Sequence, residues 1–187
     1  MHDKREEILT VARAAAQAHG YNGLNFRELA KAVGVKSASV HYHFPTKADL
    51  GAELARRYRE EAEATLESIS ASSADPARRL RNYVGVFRLA LENNNRMCMC
   101  GLMAAEVDDL PDAVKAEVKL FGDVNAAWLA KTLGEASEGR SSKANRRRAL
   151  AVFAAVSGAQ LIARGRGDVA VYDDIVNAYR ASGLIPA

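Results

Sequence analysis

Cysteine is scarce: the 187 residues contain two, Cys98 and Cys100, a single residue apart. That spacing makes no disulfide framework, and no His or Cys cluster follows to complete a zinc site, so no metal is expected. With four prolines and 13 glycines, the chain is neither collagen-like nor a low-complexity linker. No apolar run is long enough to span a bilayer, because the longest, residues 150–163, is interrupted by Ser157 and Gln160. The first residues, MHDKREEIL, are charged where a secretory leader would be apolar. A cytoplasmic protein without membrane contact is therefore expected. There is also no nucleophile and base at readable spacing, no glycine-rich phosphate loop and no cluster of metal ligands. The chain is not expected to be an enzyme, and no cofactor is implied.

What the chain does have is helix-forming residues. Almost half of it is apolar and 26% is charged, with Ala, Leu, Glu, Arg and Lys prominent, which predicts an all-α protein of one or two domains. The net charge of +3 is unevenly placed. Residues 1–60 hold ten Lys or Arg against seven Asp or Glu, whereas residues 61–187 hold sixteen of each. A basic end joined to a neutral body suits a protein that grips a polyanion at one end.

That basic end contains NFRELAKAVGVKSASVHYHFPTK, residues 25–47. Phe26, Leu29, Ala30 and Val33 recur at helical spacing behind Asn25, a predicted N-cap, with Glu28 placed to complete a capping box. Gly34 follows the last periodic residue, where the chain must take a left-handed conformation to turn. A second helix then turns Val35 and Val40 inward and leaves Lys36, Ser37, Ala38, Ser39 and His41 outward. This is a helix-turn-helix pattern. Lys36, Ser37, Ser39 and His41 could reach base edges in a major groove, while Arg27, Tyr42, His43 and Lys47 could hold the phosphate backbone. The same local features also recur in all-α proteins that never meet DNA.

Around it the spacing predicts about nine helices. Residues 3–19 form one that ends at Gly20 and packs across the pair. Thr46 and Asp49 make a second capping box, opening a long helix to about Ser70. Asp75-Pro76 caps a helix running to the three asparagines at 93–95. An apolar, sulfur-rich segment (97–107), a helix over 111–134, a loop and helix start over 134–148, a small-residue helix over 149–164 and a final helix over 168–182 complete the chain. The Arg146, Arg147 and Arg148 run reads as a solvated helix start or as a further contact to nucleic acid.

The run AKAVGVKSASVHYHFPTKADL resembles the signature of the tetracycline-repressor (TetR) family through Ala30, Gly34, Val35, Val40, His43, Phe44, Lys47 and Leu50. The likeness extends to Gly20 and Phe26-Arg27-Glu28-Leu29-Ala30, and so covers about the first 55 residues. Where the family often has an aromatic pair, this chain has His41-Tyr42. The resemblance implies a DNA-binding regulator, acting as a homodimer on a palindromic double-stranded operator and released by a small-molecule effector. Residues 1–47 would be the helix-turn-helix domain and residues 48–187 the effector-binding and dimerisation domain.

The long helix from Thr46 would connect the two. Its altered pose on effector binding would move the heads apart and end repression. The last two helices, with Ala149, Val152, Phe153, Val156, Gly158 and Ala159, then Val169, Tyr172, Ile175, Val176 and Tyr179, offer either a four-helix dimer interface or ordinary core faces. By the same resemblance Met97, Cys98, Met99, Cys100 and Met103 would line the effector cavity. Tyr83, Phe87, Phe121, Asn125 and Trp128 could surround an apolar or aromatic ligand, or simply pack. Cys98 and Cys100 are either buried structural residues or a thiol sensor of oxidants and electrophiles.

Overall fold

The computed structural model describes residues 3–136 and 141–186. Among these it is all-helical, with nine α-helices and two 3-10 turns. The chain divides into two compact units: residues up to Glu60 with Met99–Leu120, and Glu61–Cys98 with Phe121 onward.

The first unit holds α1 (Lys4–His19), a 3-10 turn (Tyr21–Gly23), α2 (Phe26–Val33), α3 (Ser37–His43) and the start of α4 (Lys47–Ser72). It also takes in α6 (Met99–Ala104), a 3-10 turn (Val107–Asp109) and the start of α7 (Asp112–Glu135). Helix α1 starts because the Asp3 side chain accepts from the Arg5 amide, and it packs against α2, α3 and α6. Its inward stripe of Ile8, Leu9, Ala12 and Ala16 is buried, as are Leu29, Val40, Phe44, Leu50 and Leu54 on the following helices. Helix α4 opens on the expected capping box: the Asp49 carboxylate accepts from the Thr46 amide at 2.9 Å, and the Thr46 hydroxyl accepts from the Asp49 amide at 3.1 Å.

The second unit comprises the rest of α4, α5 (Pro76–Glu92), the rest of α7, α8 (Ser142–Arg166) and α9 (Val169–Ala181). Asp75 caps α5 and Asp168 caps α9 through their side chains. Helix α8 packs against both α9 and α5. Buried between them are Leu80, Val84, Phe87, Val152, Val156, Ala159, Tyr172 and Val176.

One expectation changes, and two others gain detail. The Glu28 half of the first capping box is not made, since the Asn25 amide donates to the Gly23 carbonyl at 3.0 Å. The sulfur-rich segment forms a short helix of six residues, with Met97 and Cys98 before it and Met99, Cys100 and Met103 inside it, after Asn94 and Asn95 in left-handed conformations, both at φ 55°. Helix α8 begins at Ser142, where the Ser141 hydroxyl caps it, within the expected helix start over 134–148, and the arginine run lies in its second turn. The loop foreseen ahead of it falls partly on residues 137–140, outside the described residues.

Candidate nucleic-acid interface

Helix α3 is short and stands open. Helix α2 ends at Gly34, at φ 73° and ψ 35°, where the Val35 amide reaches back to the Ala30 carbonyl at 2.9 Å. This closing turn lets α3 leave at a sharp angle, and a Cβ there would meet no atom but would be strained by the backbone. Val40 is the one fully buried side chain of α3 and anchors it, so the opposite face is free.

On that face Tyr42 is 83% exposed. Lys36 and His41 are exposed, and Ser37, Ser39 and His43 are half-buried. The imidazole of His41 lies against the Phe26 ring at 4.7 Å, with Nδ1 3.4 Å from the Pro45 carbonyl. Tyr42 and His43 meet edge to face at 5.2 Å. Arg27 is exposed on the first turn of α2, beside the side-chain oxygen of Asn25, which accepts from the Arg27 and Glu28 amides. Lys47 is half-buried, with Nζ 4.3 Å from the centre of the Tyr21 ring.

Between these groups lies a notch of about 370 Å³ lined by Asn22, Leu24, Asn25, Phe26, His41 and Lys47. It joins the N-terminus of α2 to the ammonium of Lys47, two features that favour an anion.

The unit presenting this surface is braced by charge. Glu53 on α4 accepts from Arg5 at 3.0 Å, from Arg56 at 2.8 Å and from Arg57 at 2.8 Å. Arg57 also grips Glu6 of α1 at 2.6 and 2.9 Å. Burial alone would raise the Glu53 carboxyl, but hydrogen bonds from Arg56, Arg57 and Arg5 outweigh it and hold it down at about 2.

Residues 8–54, which carry all of α2 and α3, match the family described as bacterial regulatory proteins, tetR family. A TetR-family transcriptional regulator from Agrobacterium tumefaciens is 34% identical, over 94% of this chain and 94% of that one, with a TM-score of 0.87. The chain belongs to the TetR family. A TetR transcriptional regulator from Legionella pneumophila is 28% identical over 97% of this chain and 98% of that one, with a TM-score of 0.89. The HTH-type transcriptional repressor KstR2 of Mycobacterium tuberculosis is 29% identical over 92 residues, 49% of this chain. That match spans 44% of the repressor, under half of its length. Proteins of the TetR family are DNA-binding transcriptional regulators, and in this member α2 and α3, Phe26–Val33 and Ser37–His43, fold as a helix-turn-helix within the matched residues.

The TetR-family body divides the residues expected around an effector. In the second unit Tyr83 is central: its hydroxyl donates to Asn125 Oδ1 at 3.1 Å, its ring stacks on Trp128 at 5.4 Å, and Phe87 lies 5.3 Å away. Asn125 donates to the Phe121 carbonyl at 2.8 Å, and the Trp128 indole donates to Ser70 Oγ at 2.8 Å. Burial pushes the Tyr83 phenol well above its ordinary range, so it stays neutral and available as a donor. Met97 and Cys98 belong to this unit, whereas Cys100 and Met103 belong to the first. All four are buried, Cys98 being 6% and Cys100 1% exposed.

Two polar residues with structural weight were not singled out from the sequence as site residues. Gln160 is fully buried, donates to the Phe87 carbonyl at 2.7 Å and accepts from the Cys98 amide at 3.0 Å. Its signal was present, since it interrupts an apolar run. Glu106, which accepts from the Tyr21 amide at 2.6 Å, carries no such signal because its partner lies 85 residues away. Among the described residues no group of three or more His, Cys, Asp or Glu could hold a metal ion, and no helix is long and apolar enough to cross a membrane.

Proposed function

We propose that this TetR-family member is a repressor that binds a palindromic operator as a homodimer and is released by a small-molecule effector. The observation that carries the reading is the open face of α3, with Tyr42 83% exposed and His41 lining the same notch as Lys47. Lys36, Ser37, Ser39 and His41 read base edges, and Arg27, Tyr42, His43 and Lys47 hold phosphates.

Dimerisation through α8 and α9 can draw on only part of the expected residues, those left half-buried, Phe153, Gly158, Val169, Ile175 and Tyr179. Ala149, Val152, Val156, Ala159, Tyr172 and Val176 are buried in the chain itself and cannot serve a partner. The apolar residues left outward on α8 are Leu150 at 58%, Leu161 at 57% and Ile162 at 51% exposed, with Ala154 also exposed and open space over Gly158 and Gly165. Large apolar side chains flanking glycines suit close packing of a second helix. A two-fold dimer carries two copies of α3, one for each half-site of a palindrome.

Effector binding is assigned to the Tyr83, Phe87, Phe121, Asn125 and Trp128 cluster, with Met97 and Cys98. The polar groups of Tyr83 and Asn125 already satisfy each other, so an effector must offer a hydrogen bond in exchange as well as apolar surface.

Fluorescence anisotropy on duplexes selected from a random-sequence library tests the reading. The expected result is two bound chains per duplex, half-sites about 34–36 Å apart, and affinity falling steeply with salt. Binding no tighter than to unselected duplex would count against it.

A further inference from the structure

The Glu106 side chain reaches into the connector between α1 and α2. Its Oε2 accepts from the Tyr21 amide at 2.6 Å, and its Oε1 lies 3.4 Å from the Asn22 side-chain amide. Gly20 makes room for it: a Cβ on that residue would stand 2.1 Å from the carboxylate. The Tyr21 ring so held is pressed onto the bare surface of α4 at Gly51, where a Cβ would come within 2.7 Å of the ring and 3.2 Å of Val114. One helical turn earlier on the same face of α4, Lys47 lays its ammonium over that ring. Asn22 and Lys47 both line the notch beside the α2 N-terminus.

We infer that Glu106 is a positioning residue for DNA binding: by holding the Tyr21 backbone it sets the ring that aims Lys47 into the phosphate-binding notch. The inference rests on Lys47 contacting a phosphate, as proposed above. Glu106 sits between α6 and the turn Val107–Asp109, outside the helix-turn-helix, so withdrawal of this segment removes the carboxylate from Tyr21 and lets Lys47 wander. A lysine held by a ring face loses less freedom on meeting a phosphate than one swinging in solvent.

The test compares wild type, Glu106→Ala, Glu106→Gln, Glu106→Asp, Lys47→Ala and Lys47→Ala/Glu106→Ala, using the tightest duplex recovered by selection, at several salt concentrations. Glu106→Ala should weaken binding about three- to tenfold, the range of coupled neighbours, and should add little once Lys47 is gone. Glu106→Gln keeps an acceptor for the Tyr21 amide and should bind within about twofold of wild type. Glu106→Asp, too short to reach, should behave like Glu106→Ala and serves if that variant does not fold. Hydrogen exchange at the Tyr21 amide should quicken in Glu106→Ala and Glu106→Asp alone. If both variants bind as wild type, or if the Glu106 and Lys47 losses multiply independently, the inference is wrong while DNA binding stands. If wild type itself shows no salt-dependent preference for any duplex, both fall.

Discussion

Arg5 on α1 donates to Glu53 on α4 at 3.0 Å across 48 residues of sequence, and Arg57 next to it returns the tie to Glu6 on α1. The Glu53 carboxyl is held down at about 2 against an ordinary value of 4.5. A group with a depressed folded value stabilises above its unfolded value and loses that contribution as pH falls through the folded one. Stability from this network should thus be complete above about pH 4.5 and decline toward pH 2. Glu53→Gln should lower neutral-pH stability by about 1 kcal/mol after solvent screening and flatten this part of the profile, read by thermal melts across pH.

Lys47→Ala should weaken binding to selected and unselected duplexes alike and reduce the slope of log affinity against log salt by about one. Lys36→Ala, on the face assigned to bases, should instead relax sequence preference. Anisotropy titrations at graded salt distinguish them, and identical behaviour of the two variants would remove the division of roles.

Tyr83→Phe leaves the buried Asn125 oxygen without its phenol donor. Urea unfolding should show a loss of about 1–3 kcal/mol, the cost of a stranded polar group. Tyr83→Phe/Asn125→Leu should lose less than the two single variants added together, because both partners are then apolar.

Replacing Leu161 and Ile162 together by glutamate should convert a dimer to a monomer in sedimentation equilibrium while helix content is kept, because both side chains already face solvent. Duplex affinity should fall by at least about a hundredfold as avidity is lost. A double variant that stays dimeric would move the interface off α8.

Cys98 and Cys100 should react with a water-soluble thiol reagent far more slowly in the native chain than in denaturant, given their burial. Cys98→Ser/Cys100→Ser should retain duplex binding and its response to effector. If oxidant releases wild type from DNA but not this variant, the thiol-sensing alternative replaces the effector model.

Local chemistry was legible from residue types alone. Asn25, Gly34, Thr46 with Asp49, Asp75 and Asp168 each act on backbone groups within a few residues, so cap, turn and helix start were determined by short sequence patterns. The helix-turn-helix, with its burial of Val40 and exposure of Lys36 and His41, followed from those signals and from helical periodicity. Tertiary structure alone decided which of the two apolar faces of α8 is core, since periodicity identifies an apolar stripe but not its neighbour. It alone joined Gln160 to Cys98, Arg88 to Asp173 and Glu106 to Tyr21, pairs 62 to 85 residues apart. Such pairings depend on where separate helices come to rest, and no local preference of either residue carries that information.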